Sequence, residues 1–258
     1  MKSSKTNTNL TKFNKNNKKI GKFFILFVFF AFFSSIIMLS NVFAKFLNVK
    51  NIGLFAENVN ASSQNIYCVA YGSYETENSA TIQAEYLKEK GGAGYIYKIG
   101  NSYTILLSAY LDETSCKNVY DKNIDNFENL HIEKLKTTKS NISYNKTTNN
   151  VKPLKDIINL KIDVFKNLHD ISNKLDAGEI ISQNAYNQLF NLSYDVNKKI
   201  ENFKETSMLT SSSSYNTLIK DAENIYSKLN TLILNTPKNQ LSPSIKYYSL
   251  DIILLNES

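Results

Sequence analysis

The chain has 258 residues, 21% of them charged and 12% aromatic, with no tryptophan, two cysteines and a formal net charge of +7. The basic excess sits before Phe23, where there are seven lysines and no acid; beyond Ala44, 23 basic side chains meet 23 acidic ones, which argues against nucleic acid as a partner. About 214 residues beyond Ala44 leave room for one or two small domains rather than one large enzyme.

Residues 1–22 form a basic leader, with Lys2, Lys5, Lys12, Lys15, Lys18, Lys19 and Lys22 expected on the cytoplasmic side. Residues 23–44, FFILFVFFAFFSSIIMLSNVFA, contain no charge over 22 positions, enough for one helix to cross a bilayer. The expectation is a single-pass anchor with the remainder of the chain extracytoplasmic. The alternative is a secretory signal peptide cleaved at Ala44, where Val42-Phe43-Ala44 offers small or modest residues to a peptidase. Residues 45–64 read as a polar spacer.

Residues 65–137 alternate strand and helix signals. Ile66 to Ser73 is β-branched and aromatic, and Glu77 to Lys90 sets Ala80, Ala84 and Leu87 on one helical side before Gly91-Gly92. Gly94 to Ile99 and Ser102 to Ser108 flank Gly100-Asn101, a hairpin signal. Asp112 can cap a helix running to about Lys122, and Leu130 to Lys136 alternates as a last strand. The order βαββαβ predicts a four-stranded antiparallel sheet with two helices on one face and the other face open. Alternation turns Val69, Tyr71, Ile96, Ile105 and Leu107 to the helices and leaves Ala70, Tyr95, Tyr97, Thr104 and Leu106 on the open face, with Ser73 at its rim. It also sets Cys68 on the open face and Cys116 on the helix side, a geometry that argues against a disulfide.

Residues 138–150 are polar and read as a linker, and residues 151–258 as an all-α bundle. Leu154 to Leu175 makes one apolar stripe, ended by Asp176-Ala-Gly178; Ile181 to Phe203 makes a second and Leu218 to Leu232 a third. Pro237 stops the third helix, and Ser242 with Pro243 at the first helical position can start a fourth, Ile245 to Leu255. Tyr247, Tyr248 and Ile252-Ile-Leu-Leu255 exceed what one buried face needs, which leaves a partner contact open.

The run Tyr67-Cys-Val-Ala-Tyr-Gly-Ser-Tyr74, followed by Asn78-Ser-Ala80, Leu87, Gly91, Tyr103-Thr-Ile-Leu-Leu and Ser108-Ala-Tyr110, resembles a SPOR domain. The resemblance covers Ile66 to Lys136 and implies a ferredoxin-like/SPOR fold there; with the uncharged run and the apolar stripes, the expected chain is α+β, with an N-terminal transmembrane helix, the βαββαβ domain and then an all-α helical bundle. The resemblance also implies a bacterial cell-envelope protein that binds peptidoglycan glycan strands stripped of stem peptides at division septa or sporulation sites. The glycan contacts would be Ala70, Ser73, Tyr95, Tyr97, Thr104 and Leu106, the tyrosines offering flat apolar area to pyranose rings. The same tyrosines also suit a half-buried sheet surface. The chain departs from the family in having Ala70 where a polar residue, often glutamine, is usual, and Ser108-Ala109 where Gly-Pro is common.

Other expected partners are the membrane and a second envelope protein contacting the C-terminal helices. The alternative function is a non-enzymatic envelope scaffold that binds a partner protein through the open sheet face and the helical domain. Neither a nucleophile with its base nor placed carboxylates can be read at recognisable spacing, so no catalytic residue and no cofactor is expected. With no Cys-x-x-Cys and with His131 and His169 isolated, no metal site is expected either.

Overall fold

The computed structural model describes residues 56–61, 63–138, 140–145, 151–207 and 213–256. The leader and the membrane-spanning candidate at 23–44 lie outside the described residues. Among the described residues no helix is long and apolar enough to cross a membrane. The chain divides into two units, 1–56 and 57–258, and the four-stranded sheet and all the described helices belong to the second.

Strands β2 (Asn65–Tyr74), β3 (Tyr95–Ile99), β4 (Ser102–Tyr110) and β5 (Leu130–Lys136) form an antiparallel sheet in the order β3-β4-β2-β5. Helix α1 (Glu77–Glu89) connects β2 to β3, and α2 (Glu113–Asn123) connects β4 to β5. The chain is therefore α+β, with the expected βαββαβ order and two split βαβ units. Capping follows the sequence: Thr76 accepts from the Ser79 amide at 3.2 Å and Asp112 from the Ser115 amide at 2.7 Å. At the handover from α1 to β3, Gly94 has φ of +63°, and a Cβ there would meet the Ala84 carbonyl oxygen at 2.7 Å, so no larger residue fits.

Between β2 and β4 the register slips, pairing Val69 with Ser108 but Ala70 with Leu106, so Leu107 is an extra residue in β4. The faces still sort as alternation predicts. Val69, Tyr71, Ile96, Ile105 and Leu107 pack under α1 and α2 with Ala80, Ala84, Leu87 and Cys116.

Two short strands depart from expectation. β1 (Ala56–Ala61) falls in the predicted spacer and β6 (Ser140–Asn145) in the predicted linker, and the two pair with each other. They prolong the β2–β5 ladder past a break where Thr137 bonds Gln64 twice: its amide donates to the Gln64 carbonyl at 2.9 Å, and its hydroxyl accepts from the Gln64 amide at 2.8 Å. Backbone pairing needs no apolar pattern, which is why a polar sequence concealed it.

Helices α3 (Val151–Ile158), α4 (Leu160–Asp176), α5 (Ser182–Ser207), α6 (Ser213–Asn235) and α7 (Leu241–Ile253) form the bundle. The single stripe expected from Leu154 to Leu175 is divided at Asn159. The bundle core joins Leu154, Val164, Leu168, Leu189, Ile200 and Leu229 with Ile245 and Ile252 of α7. A one-turn 3-10 helix (Lys238–Gln240) precedes α7, which starts earlier than expected and places Ser242 and Pro243 inside its first turn. Proline is tolerated there because first-turn amides have no intrahelical acceptor.

Candidate functional site

The sheet face expected to be open is covered. Ile66, Cys68, Ala70, Leu106 and Ala109 form one cluster with Phe165 of α4 and Leu250, Ile253 and Leu254 at the end of α7. This corrects the expectation of a free binding face, and α7 supplies the physical reason. The helix has two apolar faces, one carrying Leu241, Ile245 and Ile252 into the bundle and one carrying Tyr247, Leu250 and Ile253 onto the sheet. The surplus apolar surface noted in α7 and the unusually apolar sheet face are each other's partner.

Of the six expected contact residues, three are sealed from solvent: Ala70 and Leu106 are 0% exposed and Thr104 4%. Thr104 donates its hydroxyl to the Gly72 carbonyl at 2.9 Å. Tyr95 is half-buried with its ring centroid 5.3 Å from that of Tyr247, the planes tilted by 59°. Burial, then the nearby Asp251 carboxylate, push the Tyr95 hydroxyl above its ordinary range and do the same to Tyr247. Tyr97 is half-buried at the edge of the same cluster, and Ser73 is exposed. The fold thus brings Ala70, Tyr95, Tyr97 and Leu106 together, but against the chain's own helix.

Polar bonds hold α7 in place. Lys246 donates to the Gly91 carbonyl at 2.8 Å and pairs with Asp176 at 2.6 Å, tying the C-terminal ends of α1 and α4 to the middle of α7. Ser242 also donates to Asp176, and Asp251 pairs with Lys228 of α6. Beside this junction His169 sits edge-on to Tyr110 at 5.0 Å, and burial lowers its affinity for a proton. Sequence reasoning missed Lys246, Asp176 and Phe165, since nothing local marks a lysine that bonds a carbonyl 155 positions away. The readable signal was the apolar excess at Tyr247 and Ile252 to Leu255.

On the opposite side of the sheet a groove of about 310 Å³ runs between α1 and α2, floored by Val69, Leu87 and Leu107 and edged by Asn123, Asn173 and Lys246. The two thiols are free, buried and in separate clusters on opposite faces of the sheet. Burial raises both, Cys116 to about 11, so neither is a reactive thiolate at neutral pH. Among the described residues no group of three or more His, Cys, Asp or Glu side chains could hold a metal.

No family model, no curated protein and no solved structure matches the chain.

Proposed function

We propose that this chain is a non-catalytic, membrane-tethered scaffold of the bacterial cell envelope, in which a SPOR-like module serves as a docking platform for its own C-terminal helices. One observation carries the reading: Ala70 and Leu106, the centre of the face that would meet glycan, have no exposed surface beneath α7 and Phe165. Uncovering the face would return Phe165, Leu250, Ile253 and Leu254 to water. At roughly 1.5–3 kcal/mol each, that costs on the order of 10 kcal/mol, comparable to the whole stability of a domain. The face therefore stays closed, and peptidoglycan binding through it gives way to protein contacts made elsewhere on the surface. The tether is the uncharged run 23–44, with the lysine leader fixing its direction.

The test is co-sedimentation of the full chain, in detergent, with peptidoglycan sacculi before and after an amidase strips the stem peptides. The scaffold reading expects no gain in pelleted protein on stripping. A gain would restore the glycan reading and direct attention to the rim around Ser73 and Tyr97.

A further inference from the structure

The groove between α1 and α2 ends against the bundle. Its apolar lining comes from Val69, Leu87, Leu107, Val119 and Phe127. Towards the bundle the lining turns polar: Asn173 and Asp176 come from the last turn of α4, Lys246 from the middle of α7, and Lys90 from the C-cap of α1. Side chains of four helices thus meet around one opening of about 310 Å³, within the usual size range of small-molecule sites.

The polar end carries both signs of charge at close range. The Lys246 ammonium lies 2.6 Å from one Asp176 oxygen and 2.8 Å from the Gly91 carbonyl, contacts that use two of its three N–H donors. Asp176 accepts from Lys246 on one oxygen and from Ser242 on the other, so each oxygen keeps capacity for a further bond. Neither side chain is sealed, with Lys246 at 19% exposure and Asp176 at 44%. The C-terminal ends of α1 and α4 meet here, and their last carbonyls add partial negative charge beside Asp176. Lys90 adds a second positive charge at the rim.

This arrangement discriminates between ligands by charge. A lone carboxylate drawn to Lys246 meets Asp176, and a lone ammonium drawn to Asp176 meets Lys246. A wholly apolar molecule displaces water from both without replacing its hydrogen bonds. A molecule with both charges on one carbon answers the pair as a whole. We propose that the groove binds a free α-amino acid with a large apolar side chain, of the leucine or phenylalanine kind. Its carboxylate takes the third Lys246 donor and faces Lys90. Its ammonium bonds Asp176 and the oxygen of Asn173, whose nitrogen contacts His169. Ligand and protein then form a ring of alternating charges, while the apolar side chain lies on Leu87, Leu107 and Val119. The proposal stands whether or not the scaffold reading does.

Isothermal titration of the full chain in detergent with L-leucine and L-phenylalanine, up to about 20 mM, tests it. The expected result is saturable binding with a dissociation constant of about 0.1–1 mM and a raised melting temperature. N-acetyl-L-leucine lacks the ammonium, L-leucinamide the carboxylate and glycine the apolar side chain; each should bind about tenfold or more weakly. Lys90→Glu, at an exposed position, should weaken L-leucine binding about tenfold, and Val119→Trp, which fills the groove, should abolish it, both with unchanged circular dichroism. Absence of binding by both amino acids would overturn the proposal. So would N-acetyl-L-leucine or L-leucinamide binding as well as L-leucine, since one charge would then suffice. Binding indifferent to both variants would overturn it too, by placing the ligand elsewhere.

Discussion

Ala70 decides what the sheet face can do. A methyl at that position lets α7 approach until both Ala70 and Leu106 lose all contact with water. A polar side chain there would need a hydrogen-bond partner, and the apolar side chains of Ile66, Leu250 and Ile253 offer none. Ala70→Gln should accordingly lower stability by about 3 kcal/mol, through overpacking and a stranded carboxamide, read as a drop in the urea midpoint. Leu250→Ala should cost a similar amount, about 3 kcal/mol, because the cavity it leaves is walled on one side by the sheet and on the other by α4. His169 adds a dependence on pH. Burial lowers its proton affinity in the fold, against Asp112 and Asp170, which favour the charged ring, and with Lys246, which opposes it. The unfolded chain therefore binds the proton more readily, so stability is complete above about pH 6.5 and falls as pH drops below it toward the folded value. Melting temperatures between about pH 7.5 and 5 should show this fall, and His169→Gln should flatten it.

At the scale of elements, α7 is the joint of the molecule. From the middle of α7, Lys246 holds the C-terminal ends of α1 and α4, through the Gly91 carbonyl and Asp176, at 19% exposure of its own side chain. Lys246→Met keeps the stem and removes the charge; it should destabilise by about 2 kcal/mol, since Asp176 and the Gly91 carbonyl both lose a donor. Asp176→Asn should cost less, and the double variant less than the sum of the two, measured as a double-mutant cycle by chemical denaturation. The elements themselves were largely legible. Strand alternation, the Asp112 cap and the glycine stops gave β2 to β5 with α1 and α2 nearly to the residue, because each depends on local chemistry. The helical stripes were equally readable, since 3.6-residue periodicity survives any tertiary arrangement. What could not be read was the docking of one module on another. Periodicity shows that Tyr247 and Ile252 to Leu255 are in excess; it does not say which surface absorbs the excess. The β1–β6 pairing was hidden for a different reason, being made of backbone bonds under a polar sequence.

At the scale of the whole molecule, the sheet module and the bundle share a core, so they should unfold together. A single transition in urea, coincident by near-ultraviolet and far-ultraviolet circular dichroism, is the expected result for residues 57–258. Two separated transitions would mean that the cluster between Leu106 and Leu250 contributes little. A shared core also sets a timetable. The sheet is complete in sequence at Lys136, but the helix that covers its apolar face begins only at Leu241, about a hundred residues later. At synthesis rates of about 5–20 residues per second, Ala70, Leu106 and Cys68 await their cover for roughly 5–20 s while the intervening helices emerge. A nascent chain in this state presents a four-stranded sheet with a bare greasy face. Such a chain is a natural client for holding chaperones, and it makes a premature stop anywhere before α7 a defect of the whole fold rather than of one helix.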